Sequence, residues 1–73
     1  MMDIETKELY NKTFILRHKI YRFTKEITEN DIWLVLKSST DTLYLNKLTN
    51  NIEKSYIDAV ERIVLLGARL LGV

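Results

Sequence analysis

Leu9, Thr13, Leu16, Ile20, Phe23 and Ile27 recur at alternating spacings of three and four. That period puts them on one stripe of a helix. Tyr10, Phe14 and Tyr21 widen the stripe on one side, and no Gly or Pro interrupts it. Asp3, Glu5 and Glu8 fall in the first turns, where a helix dipole favours negative charge. The pattern predicts a long helix over residues 3–29. A second stripe runs through Leu45, Leu48, Ile52, Tyr56, Ala59, Ile63, Leu66 and Leu70. It predicts a closing helix over residues 51–71. Asn50 or Asn51 would cap it, Glu53 would sit in its first turn, and Asp58 and Arg62 would pair across one turn.

The middle of the chain supports two readings. Thr28-Glu29-Asn30-Asp31 is either a helix restart or the loop before a strand. The apolar run Ile32–Leu36, the polar Lys37–Asp41 and the segment Thr42–Leu48 follow. Two β-prone runs about a polar turn describe a hairpin over 32–48, with Leu43 and Leu45 alternating with Tyr44 and Asn46. The turn lacks the Asn-Gly or Gly-X of tight hairpins, and the stripe from Leu45 stays in helical phase through the last helix. Those two features favour short helices. The expected fold is all-α: a bundle of three to four helices with its long first and last helices antiparallel. The alternative is an α+β fold with the hairpin between those helices.

At 73 residues the chain is read as one domain, 1–73, with no linker or repeat. It has no Cys and no Pro, so no disulfide framework or thiolate metal site supports the fold. Past Ile63 the last helix keeps Arg69 as its only charge. A helix apolar on nearly all sides requires burial on nearly all sides. A second copy of the chain is the expected cover, with Ile32, Trp33, Val35, Leu36, Leu66 and Leu70 at the oligomer or partner interface. The longest apolar runs, 32–36 and 63–68, fall far short of the roughly 18 residues that span a bilayer. No membrane association and a cytoplasmic, intracellular location are therefore expected.

Charge adds one candidate surface. The total is only +1, but from Leu9 to Lys25 there is no acid, while Lys12, Arg17, Lys19, Arg22 and Lys25 are all basic. On a helix they would form a face for nucleic-acid phosphates or an acidic protein partner. The plain alternative is a solvated outer face. His18, the one histidine, has no second ligand in view and reads as a surface residue. Glu26 with Glu29 and Asp58 with Glu61 are carboxylate pairs that would hold Mg2+ only if they converged. No nucleophile elbow, phosphate loop or zinc motif is present. The expectation is a non-enzymatic module without metal or cofactor, a regulator or inhibitor that binds another protein. Nucleic-acid binding through the basic face is the alternative.

Overall fold

The computed structural model describes residues 9–71. It contains strands β1 (Thr13–Leu16), β2 (Lys19–Ile27), β3 (Ile32–Lys37) and β4 (Thr42–Lys47). Helix α1 (Ile52–Leu66) and a short strand β5 (Arg69–Leu70) follow. The strands form one antiparallel sheet in the order β4-β3-β2-β1-β5. The first four strands are a meander, and α1 carries the chain back across the sheet to add β5 beside β1.

The segment from Thr13 to Ile27 forms strands because Thr, Phe, Ile and Tyr dominate it, and such side chains suit a pleated, half-buried surface. Its hairpin closes through Arg17 and His18, both in the left-handed region at φ 51° and 70°. That is the type I′ geometry of a two-residue hairpin, here without glycine. Before it, Asn11 (φ 68°) and Lys12 together oppose Phe23: Asn11 N–H donates to Phe23 O, and Phe23 N–H donates to Lys12 O. This is a β-bulge with asparagine in the position that glycine usually takes. The other two turns are closed by short polar side chains. Thr28 Oγ1 accepts from Asp31 N–H, and Ser38 Oγ accepts from the N–H groups of Thr40 and Asp41.

One face of the sheet is the core. Phe14 and Leu16 (β1), Tyr21 and Phe23 (β2), Leu34 and Leu36 (β3) and Leu45 (β4) pack against Tyr56, Ala59 and Ile63 of α1. Phe23 is fully buried, with Tyr56 and Tyr10 at ring-centroid distances of 5.9 and 6.2 Å. A second bulge fits the helix to this face. Leu34 pairs with Asn46 and Val35 with Tyr44, leaving Leu45 unpaired. The extra residue brings Asn46 towards the helix, where its Nδ2 donates to Ser55 O at 3.0 Å. Buried Ser55 donates to Asn51 O and accepts from Thr49 N–H. Asn51 caps α1 by accepting from Lys54 N–H at 3.1 Å. At the other end, Gly67 adopts φ 83°, Gly67 N–H donates to Val64 O, and Ala68 N–H donates to Ile63 O. Those two bonds make the Schellman stop that ends the helix.

This architecture corrects the all-α bundle. The expected first helix over 3–29 is a β-hairpin in its described part; residues 3–8 lie outside the described residues. The alternation Phe14–Leu16 and Tyr21–Phe23 sets the local structure, and the three-four stripe does not survive as a face. Ile20 and Ile27, two of its members, are exposed, while Leu16 and Phe23 are buried. The middle segment is the β3–β4 hairpin, not short helices. The closing helix is real but stops at Leu66, because Gly67 turns the chain and Arg69–Leu70 pair with β1. With no first helix among the described residues, the antiparallel helix pair is also absent. Asp58 bonds Lys54 at 3.3 Å, one turn before it, instead of Arg62.

Candidate binding surfaces

The face of the sheet away from α1 carries the residues that alternate with the core positions. Cross-strand register sets them in rows. Thr13, Arg22, Lys37 and Thr42 form one row across β1 to β4. Thr24, Val35 and Tyr44 form the next, and Glu26, Trp33 and Lys47 the one beyond. Val35 has no exposed surface although it faces away from the core cluster. Thr24 and Tyr44 flank it across the strands, and Trp33 and Lys37 flank it along its own. Trp33 and Tyr44 meet edge to face at 5.5 Å, and the Lys47 ammonium sits 5.6 Å from the centre of the Trp33 ring. Tyr44 is 50% exposed and is the aromatic most open to a ligand.

A trough of about 550 Å³ runs along this face over β2, from Ile20 to Lys25. Thr13 and Thr24 line it with Arg22 and Lys37, and Ser38 and Ser39 close one end. No carboxylate lines it. The nearest partner of its cations is Glu26, whose Oε1 lies 3.3 Å from Lys37 Nζ. The trough therefore combines the exposed Arg22 and Lys37, with Lys25 at its end, and several hydroxyl groups in an acid-poor setting, a chemistry suited to anions.

The basic residues singled out from the sequence do not share a face. Arg22 points into the trough. Lys19 and Lys25 alternate with it towards the core side, although Lys25 also lines the end of the trough. Lys19 Nζ bonds Asp41 Oδ2 at 2.8 Å, and Lys25 Nζ lies 5.4 Å from the centre of the Tyr10 ring. Arg17 is in the hairpin turn, and Lys12 is in the bulge. The strand period of two divides what a helical period would have gathered. Lys37 stands beside Arg22 instead, with Tyr44 and Lys47 one and two rows along; the alternation within 42–46 was a signal for Tyr44, and none marked the two lysines.

The Lys19–Asp41 pair is geometrically the tightest ion pair described. The Lys19 ammonium hydrogen-bonded to Asp41 holds that carboxyl below its ordinary value. The Tyr21 hydroxyl, which donates to the same oxygen at 3.2 Å, adds to the effect. Asp41 in turn raises Lys19. Burial pushes the Tyr56 phenol up, with a further contribution from Tyr10.

The expected interface residues divide in the same way. Leu36 is fully buried in the core, and Val35 is covered where it stands, so neither offers surface. Trp33 is half-buried on the open face. Ile32, Leu66 and Leu70 remain exposed. The larger apolar surface lies on α1. Ile57, Val60 and Val64 share one flank by three-four spacing, and Leu65 projects beyond them. Val64 is 68% exposed and Leu65 81%.

His18 is exposed in its turn. Glu26 is engaged with Lys37, and Asp58 with Lys54. Among the described residues no group of three or more His, Asp or Glu could hold a metal ion, and no helix is long and apolar enough to cross a membrane. Compared with protein-family models, with curated proteins and with solved structures, the chain matches none.

Proposed function

We propose that the protein is a non-enzymatic interaction module that regulates by docking on another polypeptide, a second copy of itself in the first instance. One observation carries this reading: the apolar flank of α1. Ile57, Val60, Val64 and Leu65 stay exposed although the helix packs on the sheet through Tyr56, Ala59 and Ile63. Exposed apolar area of this kind gains free energy when a partner removes it from water, at about 25 cal/mol per Å². Leu66 in the last turn of the helix and Leu70 in β5 are exposed as well. An isologous pairing through one flank would let each copy cover the other. A cytoplasmic setting belongs to the same proposal, since a chain without cysteine draws nothing from an oxidising compartment.

The test is a light-scattering mass, with the Val64→Lys, Leu65→Lys double variant as control. The wild-type mass should be twice 8.7 kDa at high micromolar concentration. The variant should fall to 8.7 kDa while keeping its circular dichroism spectrum, because neither side chain belongs to the core. A wild-type mass of 8.7 kDa that stays constant on concentration would remove the second copy as occupant.

A further inference from the structure

The open face of the sheet lies across the fold from the apolar flank of α1, and its chemistry is different. We infer that this face binds single-stranded nucleic acid. The trough along β2 would hold the phosphodiester backbone, and Tyr44 would stack a base. The inference goes beyond the docking proposal and stands on other residues.

Three features favour this ligand. The first is charge. Arg22 and Lys37 stand side by side in one cross-strand row and Lys47 lies two rows along. Glu26 is the one acid within these rows, 3.3 Å from Lys37, and Asp31 of the β2–β3 turn lies 3.5 Å from Lys47, so a phosphate exchanges with both of these partly exposed carboxylates. Arg22 presents a planar fork that fits two phosphate oxygens at once. The second is the hydroxyl set. Thr13, Thr24 and Ser39 line the same trough and can donate to phosphate, as small polar side chains do in nucleic-acid complexes. The third is the aromatic pair. Tyr44 is half exposed next to these cations, and its ring is held in place by the edge-to-face contact with Trp33. Base–aromatic stacking tolerates any base and needs bases free of a duplex. A shallow sheet face offers nothing that enters a duplex groove, so a single strand is the form that fits. An acidic peptide would meet the cations but would leave Tyr44 without a role.

The experiment is fluorescence anisotropy with labelled single-stranded DNA and RNA of about 12 nucleotides, a length within the usual range for such surfaces. Binding is measured at about 50 and 200 mM salt. Three phosphates neutralised by Arg22, Lys37 and Lys47 give a slope near −2, which weakens binding about 20-fold between those concentrations. Arg22→Glu should reduce affinity at least tenfold, and Lys37→Gln severalfold. Tyr44→Ala should lose about fivefold or more, the equivalent of one stacked base. Glu61→Gln, exposed on α1 away from these residues, should change little. Arg22→Gln serves as a second variant if Arg22→Glu disturbs the sheet, which the urea midpoint would reveal. Absence of saturable binding at the lower salt would overturn the inference. So would binding that Arg22→Gln and Tyr44→Ala leave intact. If a polyglutamate peptide bound as tightly as either oligonucleotide and Tyr44→Ala had no effect, the face would belong to an acidic protein and the inference would fail.

Discussion

Phe23→Ala tests the packing on which the rest depends. Phe23 is on β2 in the middle of the sheet. It is fully buried and packs between Tyr10 and Tyr56, so it ties the N-terminal bulge, the sheet and the helix together. Removing a buried phenyl ring costs about 3–5 kcal/mol through lost transfer free energy and the cavity left behind. Its two aromatic contacts place the expected loss in the upper part of that range. A native domain of 73 residues has a total stability of about 4–11 kcal/mol. The variant is therefore expected to be barely folded, or to melt at least about 12 °C lower. Thr24, the next residue, points to the open face. Thr24→Ala removes a β-branched side chain from a strand but no core contact, and is expected to cost under about 1 kcal/mol. Urea unfolding, followed by circular dichroism and by Trp33 fluorescence, measures both. A loss below about 1 kcal/mol for Phe23→Ala, or equal losses for the two variants, would refute the assignment of faces.

Three other perturbations probe single features. Asn51→Ala removes the acceptor for Lys54 N–H and should cost about 0.5–2 kcal/mol by thermal unfolding. Arg17→Asn with His18→Gly gives the β1–β2 turn residues suited to its positive φ, and the melting temperature should rise. Asp41→Asn tests the Lys19 pair. Asp41 is depressed below 3.8, so its contribution is present above 3.8 and lost as pH falls through the folded value. Lys19 is raised above 10.5, so its contribution is present below 10.5 and lost as pH rises through the folded value. The variant should lose both dependences. In the wild type, a carboxyl NMR titration should put Asp41 below its ordinary value, and added salt should bring it back up.

The last helix was legible because its signals are local. Asn51 and Glu53 mark its start, and Tyr56, Ala59 and Ile63 reach the core at the predicted spacing, whereas its end at Gly67 was read through because the apolar stripe continues to Leu70. The first hairpin was not legible for a physical reason. Leu9, Leu16 and Phe23 are seven residues apart, so they fit a helical stripe as well as they fit strands separated by a bulge and a turn. Arg17-His18 carries none of the glycine or asparagine chemistry that announces a two-residue turn, so nothing in the local sequence marks the reversal. Tertiary packing of the pleated face decided the matter. The second hairpin was readable as an alternative from the alternation of Leu43 and Leu45 with Tyr44 and Asn46. Its turn is closed by the Ser38 hydroxyl, not by glycine. The basic surface was half legible. Arg22 was identified, but its neighbours are set by cross-strand register, which brings Lys37 beside it from fifteen positions away.

The central claim is that residues 13–47 form an antiparallel meander with one face for the core and one for a ligand. Cross-strand nuclear Overhauser contacts test it most directly. The register predicts backbone contacts between Phe14 and Tyr21, between Phe23 and Leu36, and between Leu36 and Leu43. A ladder of sequential i, i+3 contacts through residues 13–27 in place of those pairs would contradict the sheet, and with it the open face.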